Sequence, residues 1–165
     1  MRAPWIAALY DYSRWATERI LNTAAALPPA ALAADRGAGY GSVLDALFHT
    51  MMSQQMWFRR FEGDSPAGWP DRAPFADLAS IRAHWAALER DTAAFIAALT
   101  EERLAAVLDY RSTRGVPFSN PLWLLLIHQV NHATQHRAEI AFTLSQLGHS
   151  PGDLDFVMWA RDHSG

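Results

Sequence analysis

Four stretches of this chain repeat their apolar residues every three or four positions, and proline or glycine closes three of them. That period is the one at which an α-helix presents a single face. The first stretch runs from residue 4 to about residue 27 on Trp5, Ile6, Leu9, Tyr12, Ile20 and Leu21. Pro4 suits a first turn and Pro28-Pro29 ends the run. The second carries Val43, Leu44, Leu47, Phe48, Met51, Met52 and Met56 and stops before Gly63. Ser42 is its expected N-cap, with Asp45 in the capping-box position. The third spans residues 75 to about 99 on Leu78, Ile81, Trp85, Leu88, Phe95 and Ile96. The fourth is expected to start with Asn120 as cap and Pro121 at the first helical position. It runs to about residue 147, with Gly148 at C′ and Pro151 blocking extension.

The intervening segments read differently. Residues 30–41, "AALAADRGAGYG", are expected to be a loop, and "GDSPAGWPDRAP" a turn-rich connector. In "VLDYRSTRGVPF" the pattern weakens, leaving a short hairpin around Arg114-Gly115 or an irregular crossing loop. "DLDFVMWARD" predicts a last short helix. Four long amphipathic helices bury their stripes most simply in a bundle. The expected class is therefore all-α: a four-helix bundle with one long crossover connection and a short C-terminal helix, in one domain over residues 1–165.

Composition narrows the chemistry. There is no cysteine, which excludes disulfides, cysteine-bound zinc and a thiol nucleophile from this chain. All fourteen basic residues are arginine, so a lysine Schiff base is excluded too. With a net charge of -3 and no basic run longer than two residues, the footprint of a nucleic-acid binder is missing. Apolar runs such as "PLWLLLI" are too short to span a bilayer. Charges and tyrosines interrupt "MRAPWIAALYDYSRW" before a signal-peptide core can form, so a cytoplasmic location is expected.

The fourth stretch holds "IHQVNHATQHRAEI", in which His128, His132 and His136 stand four residues apart. Residues at that spacing are offset by about 40° and stack on nearly one helix face. Two such imidazoles can share one ion, but three successive turns of one helix do not wrap easily around it. Two of the three are expected to ligate, with a third ligand from another helix. His49, flanked by Phe48 and Met52, is the candidate, because a neutral histidine facing the bundle interior needs a partner. For His84, His149 and His163 an ordinary hydrogen-bonded role is expected. No Glu-x-x-His occurs, which argues against a di-iron bundle, and there is no His-Glu-x-x-His, phosphate-binding loop or Gly-x-Ser-x-Gly elbow. A mononuclear site with nitrogen ligands remains.

Three segments in this order resemble the DinB-like (DinB/YfiT) family of metalloenzymes: "YDYSRWATERIL", "GSVLDALFHTMMSQQMWFRRFEG" and "HQVNHATQHRAEIAFTLSQLGHSPGDLDFVMW". The resemblance covers nearly the whole chain. It implies a four-helix bundle, often dimeric, with a divalent metal on three histidines that map to His49, His132 and His136. His128 matches a pocket-lining histidine, and Asn131 and Arg137 match positions beside the ligands, where a cofactor would be held. Two positions depart from the family pattern. Ala138-Glu139 stands where Gly-Gln often follows the arginine, and Thr17 where Asn is common.

Three histidines leave a coordination position open, as catalytic sites do. Zinc or nickel suits imidazole. The resemblance implies transfer chemistry with a low-molecular-weight thiol, in which a metal-activated thiolate attacks a small electrophile. Arg137 would then hold the thiol's carboxylates, or else form a salt bridge with Asp155. An alternative is a hydrolase using metal-bound hydroxide, with Glu139 as proton acceptor. A further one is a non-catalytic, stress-linked metal-binding protein whose pocket is closed by Trp57 or Trp123. A small-molecule substrate and a homodimer complete the expectation, with neither nucleic acid nor membrane as partner.

Overall fold

In the computed structural model, which describes residues 2–37 and 39–163, four long helices carry the chain: α1 (Ala3–Ala24), α3 (Val43–Phe61), α4 (Leu78–Ala97) and α6 (Leu122–Gln146). Short helices α2 (Pro29–Ala33) and α5 (Glu101–Ala105) lie between them, and α7 (Phe156–His163) follows. Ala38 of the expected loop lies outside the described residues, as do Met1, Ser164 and Gly165 of the expected 1–165 domain. Helix α1 packs on α4 and α6, and α3 packs on the same two, so α1 and α3 stand on one diagonal of an all-α four-helix bundle. The expected crossover is the connection from α4 to α6, and the connection from α1 to α3 also joins diagonal helices. Among the described residues, no helix is long and apolar enough to cross a membrane.

Local chemistry sets the helix ends. Ser42 caps α3, its Oγ accepting from Asp45 N at 3.1 Å. Helix α6 ends in a Schellman motif: Gly148 adopts φ 84°, Gly148 N donates to Ser145 O at 3.0 Å and His149 N to Leu144 O at 2.9 Å. Three expectations are corrected. Residues 75–77 do not begin the third long helix, because Asp77 forms a capping box with Ser80 and starts α4 at Leu78. Asn120 is no cap; it ends in a strand, where its Oδ1 accepts from Tyr110 Oη at 3.1 Å. Residues 30–33 of the expected loop are helical instead, in the short α2 that starts at Pro29 and buries Leu32 in the core.

Of the two readings left for residues 107–118, the hairpin is the one formed. Strands β1 (Val107–Arg111) and β2 (Pro117–Pro121) pair antiparallel, Tyr110 opposite Phe118, around a turn in which Gly115 takes φ 81°. The core is chiefly two apolar clusters, one around Leu47, Met51, Ile81 and Leu144, the other around Ile6, Phe61, Leu104 and Leu126, with a small third of Tyr12, Ala16 and Trp159. Between the first two along the helices comes a layer of buried polar groups, including Ser13, Thr17, Gln54, Thr92, His136 and Arg137. Gln54 ties this layer across α3 and α4: its amide donates to Glu89 Oε1 at 2.9 Å and accepts from Trp85 Nε1 at 3.0 Å.

Two substitutions test this account of the helix ends and core by urea denaturation. Asp77→Ala is expected to cost about 1 kcal/mol through loss of the cap. Leu47→Ala, at a fully buried site, is expected to cost about 2–5 kcal/mol.

Candidate metal centre

Where α3 packs on α6, the polar layer reaches the bundle wall, and there His49 meets His132 and His136. One nitrogen from each ring lies within 4.8 Å of the others. The Nε2 atoms of His132 and His136 are 3.2 Å apart. His136 is buried, while His49 and His132 are half-buried and face the surface.

A hydrogen bond fixes which nitrogen of His136 is free. His136 Nδ1 is 2.9 Å from Glu139 Oε2, and an ionised carboxylate only accepts, so Nδ1 carries the hydrogen. That leaves the His136 Nε2 lone pair aimed at His132. His49 is held between helices and loops: its ring stacks on Tyr40 with centroids 3.9 Å apart and on Trp69 at 5.0 Å. Its Nε2 is 2.8 Å from Tyr40 Oη and 3.4 Å from Ser53 Oγ.

Removal from water disfavours charging these rings. Desolvation, reinforced by the neighbouring histidines, lowers His49 and His132 from 6.5 to about 4. The hydrogen bond to His136 holds the Glu139 carboxyl below the usual range. Three ring nitrogens converging within one ion's reach, with His136 oriented from behind by a carboxylate, fit the donor set of a divalent transition metal.

The other expected site residues separate. His128 is exposed one turn upstream, edge-on to Trp57 with centroids 5.0 Å apart, and lines a cavity together with His49 and His132. Asn131 is exposed and lines neither of the two cavities that flank the histidines. Arg137 points the other way, into the bundle. It is 3% exposed and donates to Ser13 Oγ at 2.8 Å, Thr134 Oγ at 2.9 Å and Thr17 Oγ at 3.4 Å. It therefore neither reaches a ligand beside the histidines nor pairs with Asp155. Thr17, where the family pattern differs, belongs to this arginine's bed. Glu139, the other departure, contacts a histidine directly. Trp123 packs against the apolar cluster around Leu126, whereas Trp57 lines the cavity.

Sequence reasoning missed Tyr40, Trp69 and Arg60 at this site. The single signal for the two aromatics is their place in glycine- and proline-rich segments, "GAGYG" and "AGWPD", where a bulky ring has no helical stripe to join.

Comparison with known proteins bears on the family and the fold. The chain is 25% identical over 161 residues to Protein DinB of Bacillus subtilis (strain 168), covering 92% of this chain and 91% of that one. Its fold is shared by a DinB-like protein from Bacillus cereus ATCC 10987, with TM-score 0.63, 17% identity, and 85% and 91% of the two chains covered. A conserved protein from Enterococcus faecalis is also similar, with TM-score 0.61, 18% identity, and 87% and 96% covered. The family model described as DinB family matches residues 2–163, and the chain belongs to that family.

Proposed function

We propose that this protein is a metal-dependent enzyme that joins a small thiol to an electrophile at a mononuclear site on His49, His132 and His136. The observation that carries the reading is the convergence of three imidazole nitrogens from two helices within 4.8 Å. Two of the three, His49 and His132, line a cavity of about 330 Å³ that has no carboxylate in its lining. A zinc or nickel ion there would supply Lewis acidity and lower the pKa of a thiol reaching its open position. The chain's own residues do the rest. Glu139 holds the His136 tautomer, Tyr40 and Trp69 hold the His49 ring, and the aromatic cavity wall beside His132 offers a surface for an apolar ligand group. The sulfur must come from outside, because the chain has no cysteine. The hydrolase reading loses its proposed base, since Glu139 is engaged with His136.

The test of the activity is conjugation of a panel of low-molecular-weight thiols to monochlorobimane by the metal-loaded protein. The expected rate exceeds that of a His132→Ala control, and no rate above that control with any thiol of the panel would overturn thiol transfer.

Metal binding has its own checks. Elemental analysis is expected to find one zinc or nickel per chain, lost in His49→Ala, His132→Ala and His136→Ala and kept in His128→Ala. Glu139→Gln, which restores the residue common in the family, is expected to weaken zinc affinity about 10–100-fold by titration against a chelating dye.

A pH dependence follows from the lowered histidines. Between pH 6.5 and about 4 the unfolded chain takes up protons that folded His49 and His132 refuse. Stability of the metal-free protein therefore falls as pH drops through that window. Urea midpoints measured across it are expected to decline less steeply in His132→Ala than in the wild type.

A further inference from the structure

The cavity that opens from His49 and His132 continues along α3 past Ser53 and Trp57 to Arg60. Eleven residues separate His49 from Arg60, about 16 Å of helix axis, so the cavity is a slot rather than a cup. Its walls are mostly rings: Trp57 from α3, Trp69 from the connector, and Tyr110 and Phe118 from the hairpin, the last two stacked with centroids 5.7 Å apart.

Arg60 is the one arginine in this lining, and no aspartate or glutamate shares it. It is 6% exposed, so each hydrogen-bond partner of its guanidinium counts. Nε donates to Arg111 O at 3.1 Å, and the guanidinium carbon sits 4.8 Å from the centre of the Trp57 ring. Among the described residues, no carboxylate lies within 4.0 Å and neither Nη group has a hydrogen-bond partner. Arg137 shows the contrast: it is buried more deeply, and its Nη groups are answered by three hydroxyls. Two unspent donors on a planar fork, at the far end of an aromatic slot without acids, match the two oxygens of a carboxylate.

We propose that this slot binds an elongated carboxylate ligand, with its carboxylate on Arg60, its apolar body among Trp57, Tyr110 and Phe118, and its other end at the three histidines. The proposal rests on the reading of those histidines as the reacting end, and it names the class of molecule presented to them. It also moves to Arg60 the carboxylate-holding role first expected of Arg137.

The test is isothermal titration calorimetry of the zinc-treated full chain with 4-phenylbutanoate and with its neutral isostere, 4-phenylbutanamide. The wild type is expected to bind the carboxylate at least about tenfold more tightly than the amide, the range for hydrogen bonds to a charged group. In Arg60→Gln that preference should shrink to less than about twofold, and in His132→Ala it should persist. Equal affinities in the wild type, no heat from either ligand, or a preference retained in Arg60→Gln would overturn the proposal. So would a preference lost in His132→Ala, which would place the carboxylate on the metal. If Arg60→Gln fails to fold, the wild-type and His132→Ala measurements decide. Absence of zinc from the wild type, with the carboxylate preference intact, would sink the metal reading and leave this one standing.

Discussion

An imidazole lone pair held out of water needs a partner, and the packing of α3 on α6 brings three such rings to one place. His132 and His136 are neighbours by helix geometry alone, one turn apart with their Nε2 atoms at 3.2 Å. His49 joins them only because α3 lies alongside α6. Without that contact the chain has a histidine pair; with it, a three-nitrogen site. The lowered His49 and His132 and the carboxylate behind His136 follow from the same juxtaposition.

The bundle accommodates this polar spot by dividing its core. Apolar clusters fill the two ends, and hydrogen bonds tie the polar layer between them. Gln54 answers Trp85 and Glu89, and Arg137 is answered by the hydroxyls of Ser13, Thr17 and Thr134. Each group is satisfied across a different helix pair, so the layer fixes the register of the helices whose packing builds the site. Arg60 is the buried cation whose outer donors this network leaves unspent.

Much of this was legible in the residues themselves. Helical periodicity found α1, α3, α4 and α6 within a few residues, and Ser42 and Gly148 marked real ends because capping is local chemistry. The spacing of His132 and His136 fixed their common face. His49 was reachable from its apolar flanks and from the family resemblance. The direction of Arg137 was not, since one residue along a helix turns a side chain by about 100°. That step separates His136 on the α3 side from an arginine that contacts α1. Asp77 and Ser80 are a capping box that was overlooked although local. Arg60, Tyr40 and Trp69 depend on where the hairpin and two connectors fold over the bundle, which no local pattern encodes. Asn120 looked like a cap because Pro121 follows it, but strand pairing with Val107 to Arg111 claimed that segment first.

The central claim is that one ion is shared by histidines from two helices. X-ray absorption at the zinc edge on the zinc-loaded protein measures that most directly. The account predicts three imidazole nitrogens at about 2.0–2.1 Å, falling to two in His49→Ala. A spectrum with two imidazoles in the wild type, unchanged by His49→Ala, would contradict it.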